Sequence, residues 1–206
     1  MSESATVLYG KYLSPYVRRV AVSLNVLGFS FEHRNISAIS DRKEREAVNP
    51  VGRVPALRLA SGEILIDSNA ILDHFDELAG PKYALIPKAG DSRRTALRRL
   101  AIATGAIDRS MTANAERRRK APDPIRIDRL IKQCQNGFQA LELELEQRDM
   151  FDKNRLSQVD ITTAIGYRFV NHIFPGSLLP DQIPSIAELS HQCEAIEAFK
   201  ISDIEP

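Results

Sequence analysis

Residues 51–75 read VGRVPALRLASGEILIDSNAILDHF, and their pattern decides the fold class. Ala56 to Leu59 is a short apolar run entered from a proline. Ser61-Gly62 has the chemistry of a tight turn, and Glu63 to Ile66 is long enough to fold back on the first run. The spacing therefore predicts an antiparallel hairpin. Asp67-Ser68 leads into Asn69 to Ala79, where Ile71, Leu72, Phe75 and Leu78 recur at helical spacing before Gly80-Pro81. Ser68 is the expected cap of that helix.

Upstream, strand and helix patterns alternate. Ala5 to Tyr9 reads as a strand. Pro15 to Leu27 reads as a helix with Ser14 as N-cap, Pro15 at the first position and Gly28 as the stop. Val17, Val20, Ala21, Leu24 and Leu27 form its buried face, and the same periodicity places Arg18 and Arg19 off that face, near its edges. Phe29 to Asn35 reads as a second strand with Phe29, Phe31 and His33 on one side. Asp41 to Val48 reads as a short polar helix ended by Asn49-Pro50. The order β-α-β-α-β-β-α requires a right-handed crossover between parallel strands, then an antiparallel hairpin. The expectation is an α/β domain over residues 1–81, a mixed four-stranded sheet with helices on both faces in the thioredoxin-like arrangement.

Residues 82–91, bracketed by Pro81, Pro87 and Gly90, read as a linker. Beyond them no strand pattern recurs, and residues 92–206 are expected to form an all-α bundle. One helix begins near Ser92 and carries Leu97, Leu100, Thr104, Ile107 and Met111 on one face. Others are expected over Ile127 to Gln147, Ile161 to Asn171 and Ile186 to Phe199, the last opened by Pro184-Ser185.

Composition bounds the function. The 206 residues are 43% hydrophobic and 27% charged, which suits a soluble globular protein with a real core. A net charge of +1 offers no bulk attraction to nucleic acid or to an anionic membrane. No apolar run reaches the roughly 20 residues of a membrane span. The start, MSESATVLYG, lacks a basic segment followed by an apolar one, so no signal peptide is expected and a cytoplasmic location is. Cys134 and Cys193 have neither redox nor zinc spacing and read as reduced packing residues. The four histidines are scattered, and no metal site is expected. The run Glu116-Arg117-Arg118-Arg119-Lys120 reads as a solvated helix end, since cations suit the negative end of the dipole.

Three loops carry the chemistry that remains: Ser14, Arg53-Val54-Pro55 and Asp67-Ser68. The topology places all three at one edge of the sheet domain. The helix start after Asp67 can hold a carboxylate, with a donor from Ser68 and an anion at Asp67 for an ammonium. Val54 precedes a proline and is therefore extended, so its backbone can pair with a peptide as an added strand would. Arg53 and Lys43 offer charge for a second carboxylate. A short extended peptide with an ammonium, two carboxylates and a thiol suits this set. Its thiol would fall near Ser14, where a hydroxyl and a helix N-terminus favour a thiolate. Read alone, Ser14 is either a simple helix cap or a hydroxyl placed for chemistry.

Four segments together resemble the cytosolic glutathione transferases, of the bacterial serine-type group. SPYVRRV is similar to that family's active-site helix start, NPVGRVPAL to its cis-proline loop and DSNAIL to its γ-glutamyl-binding motif. LSQVDITTA resembles its capping box and hydrophobic staple, with Ser157 on Asp160 and Leu156 against Ile161. The resemblance implies that Ser14 stabilises the thiolate of glutathione, a co-substrate. It implies a cis Pro55, Val54 on the cysteinyl backbone, Asp67 and Ser68 on the γ-glutamyl end, and Arg53 with Lys43 at the glycine carboxylate. It implies a homodimer and a small electrophile, for which Tyr12, Tyr16, Arg109, Met111 and Arg117 are candidate neighbours. Position 67 carries Asp where the family usually has Glu or Gln, and position 14 is not Cys, which disfavours mixed-disulfide chemistry. Tyr9 and Tyr12 stand close to Ser14, and other branches use a Tyr hydroxyl. Transfer of glutathione to an electrophile is the favoured activity; a glutathione-binding or regulatory protein of the same fold is the alternative.

Overall fold

The computed structural model describes residues 5–37, 41–145 and 156–204. They divide into two compact units. A sheet unit holds the residues up to Leu85 together with the segment that starts at Ile196, and a helical unit holds Ile86–Ala195.

In the sheet unit, the elements are β1 (Val7–Tyr9), α1 (Pro15–Leu27), β2 (Glu32–Arg34), α2 (Arg42–Val48), β3 (Ala56–Arg58), β4 (Ile64–Leu65) and α3 (Ser68–Ala79). The strand order is β2-β1-β3-β4. Strand β1 runs parallel to β2, with Leu8 opposite His33, and antiparallel to β3, with Leu8 opposite Leu57. Strands β3 and β4 form the expected hairpin. Period-two alternation sends Leu8 and Leu57 to one face, where they pack with Val17, Val20, Leu24, Ile71 and Phe75 of α1 and α3. Val7, Tyr9 and Ala56 face the other way, against Ile36 and Val48. This is the thioredoxin-like arrangement. Gly28 ends α1 in the left-handed region, at φ 78°, with its N–H on the Asn25 and Leu24 carbonyls.

Two arginines overturn the edge placement. Arg18 and Arg19 are 0% and 2% exposed. Helical spacing put them off the apolar stripe, but α1 is covered on further sides. A final helix, numbered α8 (Glu197–Lys200), lies against it. Arg18 Nε donates to the Ser202 carbonyl at 2.8 Å and Nη2 to the Phe199 carbonyl at 3.3 Å. Its guanidinium also lies 5.6 Å from the Phe199 ring centroid and 3.7 Å from Asp203. The acceptors are carbonyls at and just past the end of a helix, which lack intrahelical donors. Leu78, expected on the buried face of α3, is 58% exposed in its last turn.

The helical unit holds α4 (Gly90–Arg117), α5 (Pro124–Leu145), α6 (Gln158–Ile173) and α7 (Pro184–Glu194). The helix read through Gln147 is described as far as Leu145; residues 146 and 147 lie outside the described residues. Helix α4 packs on α5 and α6, and α7 on α5 and α6. Leu100 and Ile107 are buried as the periodicity requires, whereas Leu97 and Met111 sit at the rim of the stripe and are exposed. At the end of α4, Glu116 is buried and takes Arg119 and Arg126. Glu142, fully buried on α5, accepts the Ser185 and Ile186 N–H groups at 2.7 and 2.8 Å, capping α7 across the bundle. The capping box of α6 is complete: the Asp160 N–H reaches Ser157 Oγ at 3.2 Å, and the Ser157 N–H reaches Asp160 Oδ2 at 2.9 Å.

The one helix read over Ile186 to Phe199 is two. Helix α7 stops at Glu194, Ile196 is extended with ψ 140°, and α8 starts at Glu197. The break falls where the units divide, so residues 196–204 join the sheet unit rather than the bundle assigned to 92–206.

Two stability outcomes follow from these contacts. Arg18→Met removes the donor to the Ser202 carbonyl and the second donor to the Phe199 carbonyl, which keeps the Ser202 N–H, and a denaturant titration should show a loss of about 3 kcal/mol. Limited proteolysis should then cleave after Ile196 well before it cleaves the wild-type chain. Ser157→Ala removes half of the capping box and should cost about 1 kcal/mol by the same titration.

Candidate functional site

The site is built around the loop that leaves β1. Gly10 has φ 127°, a backbone conformation that side chains rarely adopt. A Cβ there would stand 2.5 Å from Val17 Cγ2 and 2.9 Å from Val54 Cβ. Gly10 is thus the point at which the β1–α1 loop, the first turn of α1 and the Val54 loop meet. His33 on β2 braces the same loop: Nε2 lies 2.6 Å from the Gly10 carbonyl, and its ring stacks on Tyr12 at 3.9 Å between centroids.

Ser14 is half-buried at the start of α1. Its backbone carbonyl accepts the Arg18 N–H at 2.9 Å, but its side chain makes no capping hydrogen bond. The expected hydroxyl cap is therefore absent, because Pro15 and the backbone already begin the helix.

The second loop hangs from Asn49, which is 3% exposed. Its Nδ2 donates to the Arg53 carbonyl, its Oδ1 accepts the Val51 N–H, and its carbonyl accepts the Gly52 N–H. Arg45 closes the loop from α2, donating to the Gly52 carbonyl at 2.6 Å. The Arg53 side chain is exposed, Val54 is half-buried and Pro55 is buried. The Val54–Pro55 bond is cis. The β1–β3 ladder ends at Tyr9 and Ala56, so Val54 lies beyond it. Lys43 is exposed on α2; the residue of that helix that holds the loop is Arg45.

The third loop opens α3. Its N-cap is Asp67, not Ser68: Asp67 Oδ1 accepts the Asn69 N–H at 2.8 Å. Asp is as good a cap as Ser, and the carboxylate adds a favourable interaction with the dipole. Ser68 becomes the first helical residue and is 3% exposed, while Asp67 stays exposed. Arg19 joins α1 to this turn, Nη2 donating to Asn69 Oδ1 at 3.2 Å. Burial lowers the Arg19 pKa to about 10, with Tyr16 and Asp67 acting in the opposite direction. It remains a cation at neutral pH.

Residues 8–83 match the family model of the glutathione S-transferase N-terminal domain. The match lies within the sheet unit, which is similar to the N-terminal domain of that family. An uncharacterized glutathione-transferase-like protein of Escherichia coli K12, YibF, is 28% identical over 173 residues, 82% of this chain and 85% of that one. A glutathione S-transferase of Methylobacillus flagellatus, solved with glutathione bound, superposes with a TM-score of 0.89 at 24% identity, over 98% of this chain and 100% of that one. A second, from Methylobacterium radiotolerans in complex with glutathione sulfonate, has a TM-score of 0.86 at 25% identity, over 96% and 93% of the two chains.

Other expected positions fall elsewhere. Tyr9 is buried on the opposite face of the sheet from α1, its hydroxyl accepting from Arg58 at 3.3 Å. Arg109, Met111 and Arg117 are exposed on α4, and Arg117 lies over the Phe174 ring at 4.5 Å. A recess of about 450 Å³ lies in the sheet unit, floored by Tyr12 and His33 and walled by Phe29, Phe31 and Ile201. None of Ser14, Val54, Asp67 or Ser68 lines it, so the polar loops and this recess are separate features. The described residues hold no group of three metal-ligating side chains, and no helix among them is long and apolar enough to cross a membrane.

Gly10, His33 and Asn49 are the scaffold that motif reading missed. A glycine directly after the first strand was the available signal for Gly10. Gly10→Ala should lower stability by at least about 2 kcal/mol, from left-handed strain plus overpacking against Val17 and Val54. Differential scanning calorimetry of the variant reads this as a drop in Tm.

Proposed function

We propose that this chain binds glutathione and holds its thiol as the thiolate for attack on a small electrophile. The observation that carries the reading is the close approach of the Ser14 loop to Val54 at Gly10, in the same unit as an α3 start capped by Asp67. Val54, beyond the end of the ladder, offers its backbone to the cysteinyl unit. Asp67 takes the γ-glutamyl ammonium, and Ser68 with the first N–H groups of α3 takes its carboxylate. Arg53, with Lys43 further out, meets the glycine carboxylate.

The Ser14 hydroxyl, unused as a cap, donates to the sulfur. The nearby tyrosines serve other contacts, Tyr9 with Arg58 and Tyr12 with His33, which favours Ser14 as the thiolate partner. A hydrogen bond to a charged acceptor is worth about 1.5–3 kcal/mol, and a helix N-terminus adds up to about 1 kcal/mol. Together they match the roughly 2.7 kcal/mol that a hundredfold shift toward thiolate requires. The sulfur then bonds to the electrophilic atom as the leaving group departs with its electron pair. The family resemblance adds a homodimer and a cytoplasmic setting to the reading.

Millimolar glutathione should raise Tm, by the equivalent of about 2.7 kcal/mol at a hundredfold excess over Kd, and Ser68→Ala should shrink that shift. Ser14→Ala should keep the ligand bound and abolish thiolate absorbance near neutral pH. Absence of any shift in the wild-type chain overturns the reading. A bound thiolate that turns over no member of an electrophile panel assigns the chain to glutathione binding without transfer.

A further inference from the structure

The basic run at the end of α4, expected to be a solvated helix end, is built around a buried acid. Glu116 is 5% exposed in the last turn of α4. Its Oε2 lies 3.3 Å from Arg119 Nη1 and 3.6 Å from Arg126 Nη1, and its Oε1 accepts the Asp123 N–H at 3.4 Å. The end of α4, the connection and the start of α5 are thus tied to one carboxylate. Arg117 donates to Asn114 Oδ1 at 2.8 Å and covers the Phe174 ring.

The remaining charge of this corner points outward. Residues 116–129 hold six cations against three carboxylates, a net +3; the whole chain carries +1, which leaves −2 for the rest. Glu116 is buried, while Arg117, Arg118, Arg119, Lys120, Arg126 and Arg129 are exposed. The Glu116 carboxylate and the negative end of the α4 dipole both suit nearby cations. Neither explains the apolar side chain set among them. Ile125, between Pro124 and Arg126 in the first turn of α5, is 82% exposed, the highest of the large hydrophobics among the described residues. Helical spacing puts Arg129 one turn further along the same face.

An apolar side chain held out among long cationic ones fits a surface that is anionic outside and apolar beneath. An anionic lipid bilayer has that layering: its headgroups take the guanidinium and ammonium groups, and its acyl boundary takes Ile125. The apolar stems of Arg and Lys let their charges stay at headgroup level while a shorter side chain goes deeper. A nucleic acid would use the cations but has no place for Ile125, and residues 116–129 contain no aromatic ring to stack on a base. An acidic protein would need a pocket shaped for Ile125, whereas a bilayer yields around it.

We propose that the α4–α5 corner is a docking surface for an anionic lipid bilayer, with Ile125 at the acyl boundary and Arg118, Lys120 and Arg129 among the headgroups. The attachment is peripheral and reversible, because one apolar side chain and a few cations anchor weakly. The corner belongs to the helical unit, so docking does not depend on what the sheet unit binds.

Co-sedimentation of the full chain with vesicles reads this directly. At about 0.1 M salt the chain should sediment with phosphatidylcholine vesicles containing about one-third phosphatidylserine, and not with phosphatidylcholine alone. Raising the salt to about 0.5 M should release it. Each basic residue near such a surface multiplies partitioning about fivefold, so Arg118→Glu with Lys120→Glu should lower it at least about twenty-fivefold. Ile125→Asn should lower it at least about threefold with the charge intact, which secures the test if the double reversal disturbs the corner. Lys88→Glu with Arg94→Glu, beside and in the first turn of α4 at its far end, makes the same change in net charge and should alter partitioning less than about threefold. The Tm of Ile125→Asn should match wild type. Equal sedimentation with both kinds of vesicle, insensitivity to salt, full binding by Ile125→Asn, or equal losses from the two double reversals overturns the proposal. Retention on double-stranded DNA without vesicle binding also overturns it and assigns the corner to a polyanion.

Discussion

Helix α1 is covered on its sheet side, on its α3 side and on its α8 side, and it carries two adjacent arginines into that setting. Consecutive residues on a helix point about 100° apart, so two buried guanidinium groups in sequence need acceptors from two different directions. Arg18 finds the Phe199 and Ser202 carbonyls; Arg19 finds Asn69. The first requirement brings the chain back from Ile196 onto the sheet unit. The second fixes the start of α3 against α1. The sheet unit is therefore discontinuous in sequence, and the buried Arg18 charge is one of the contacts that hold its last segment. Asn25 strengthens the same seam through Ser202 Oγ at 3.0 Å.

The candidate site inherits its precision from backbone held by side chains that do no chemistry. Gly10 lets Val54 approach, Asn49 ties three points of its loop, and His33 fixes the carbonyl side of the β1–α1 loop. Peptide recognition by backbone pairing demands this kind of support, since N–H and C=O groups carry no adjustable side chain. Ser14 gains from it as well. A hydroxyl released from capping points where the loop sends it, and the loop is pinned on both flanks.

What could be read from the sequence divides by the range of the interactions involved. The apolar periodicities of α1, α3 and α4 specify which faces meet a core, and the hairpin at Ser61-Gly62 is encoded within ten residues. The Ser157–Asp160 box was legible for the same reason: donor and acceptor are three residues apart. The cap of α3 was misread by one position because Asp67 and Ser68 are both good caps, and only the tertiary path of the chain selects between them. Arg18, Arg19 and Glu142 were opaque. Their partners lie 184, 50 and 44 residues away, and a charged residue at the edge of an apolar stripe reads as solvated until that partner is known. The break between Glu194 and Glu197 was equally hidden, since Ala195 and Ile196 suit a continuous helix. The extra cover it places over α1 is what turns Arg18 from a surface residue into a buried one.

Arg18 and Arg19 show how the same residue type can serve opposite ends. Arg18 donates to the Ser202 carbonyl and adds a second donor to the Phe199 carbonyl, so its presence stabilises the unit. Among the described residues, two of the Arg19 nitrogens have no hydrogen-bond partner, and each such buried group costs on the order of 1–3 kcal/mol. Its acceptor among the described residues, Asn69, is exposed and can turn to water if the guanidinium is lost. Folding alone thus favours Arg18 and disfavours Arg19. Places where a sequence breaks a packing rule concentrate at functional positions, because only a gain outside folding offsets the loss. The break at Arg19 falls beside the first turn of α3, where its guanidinium meets Asn69.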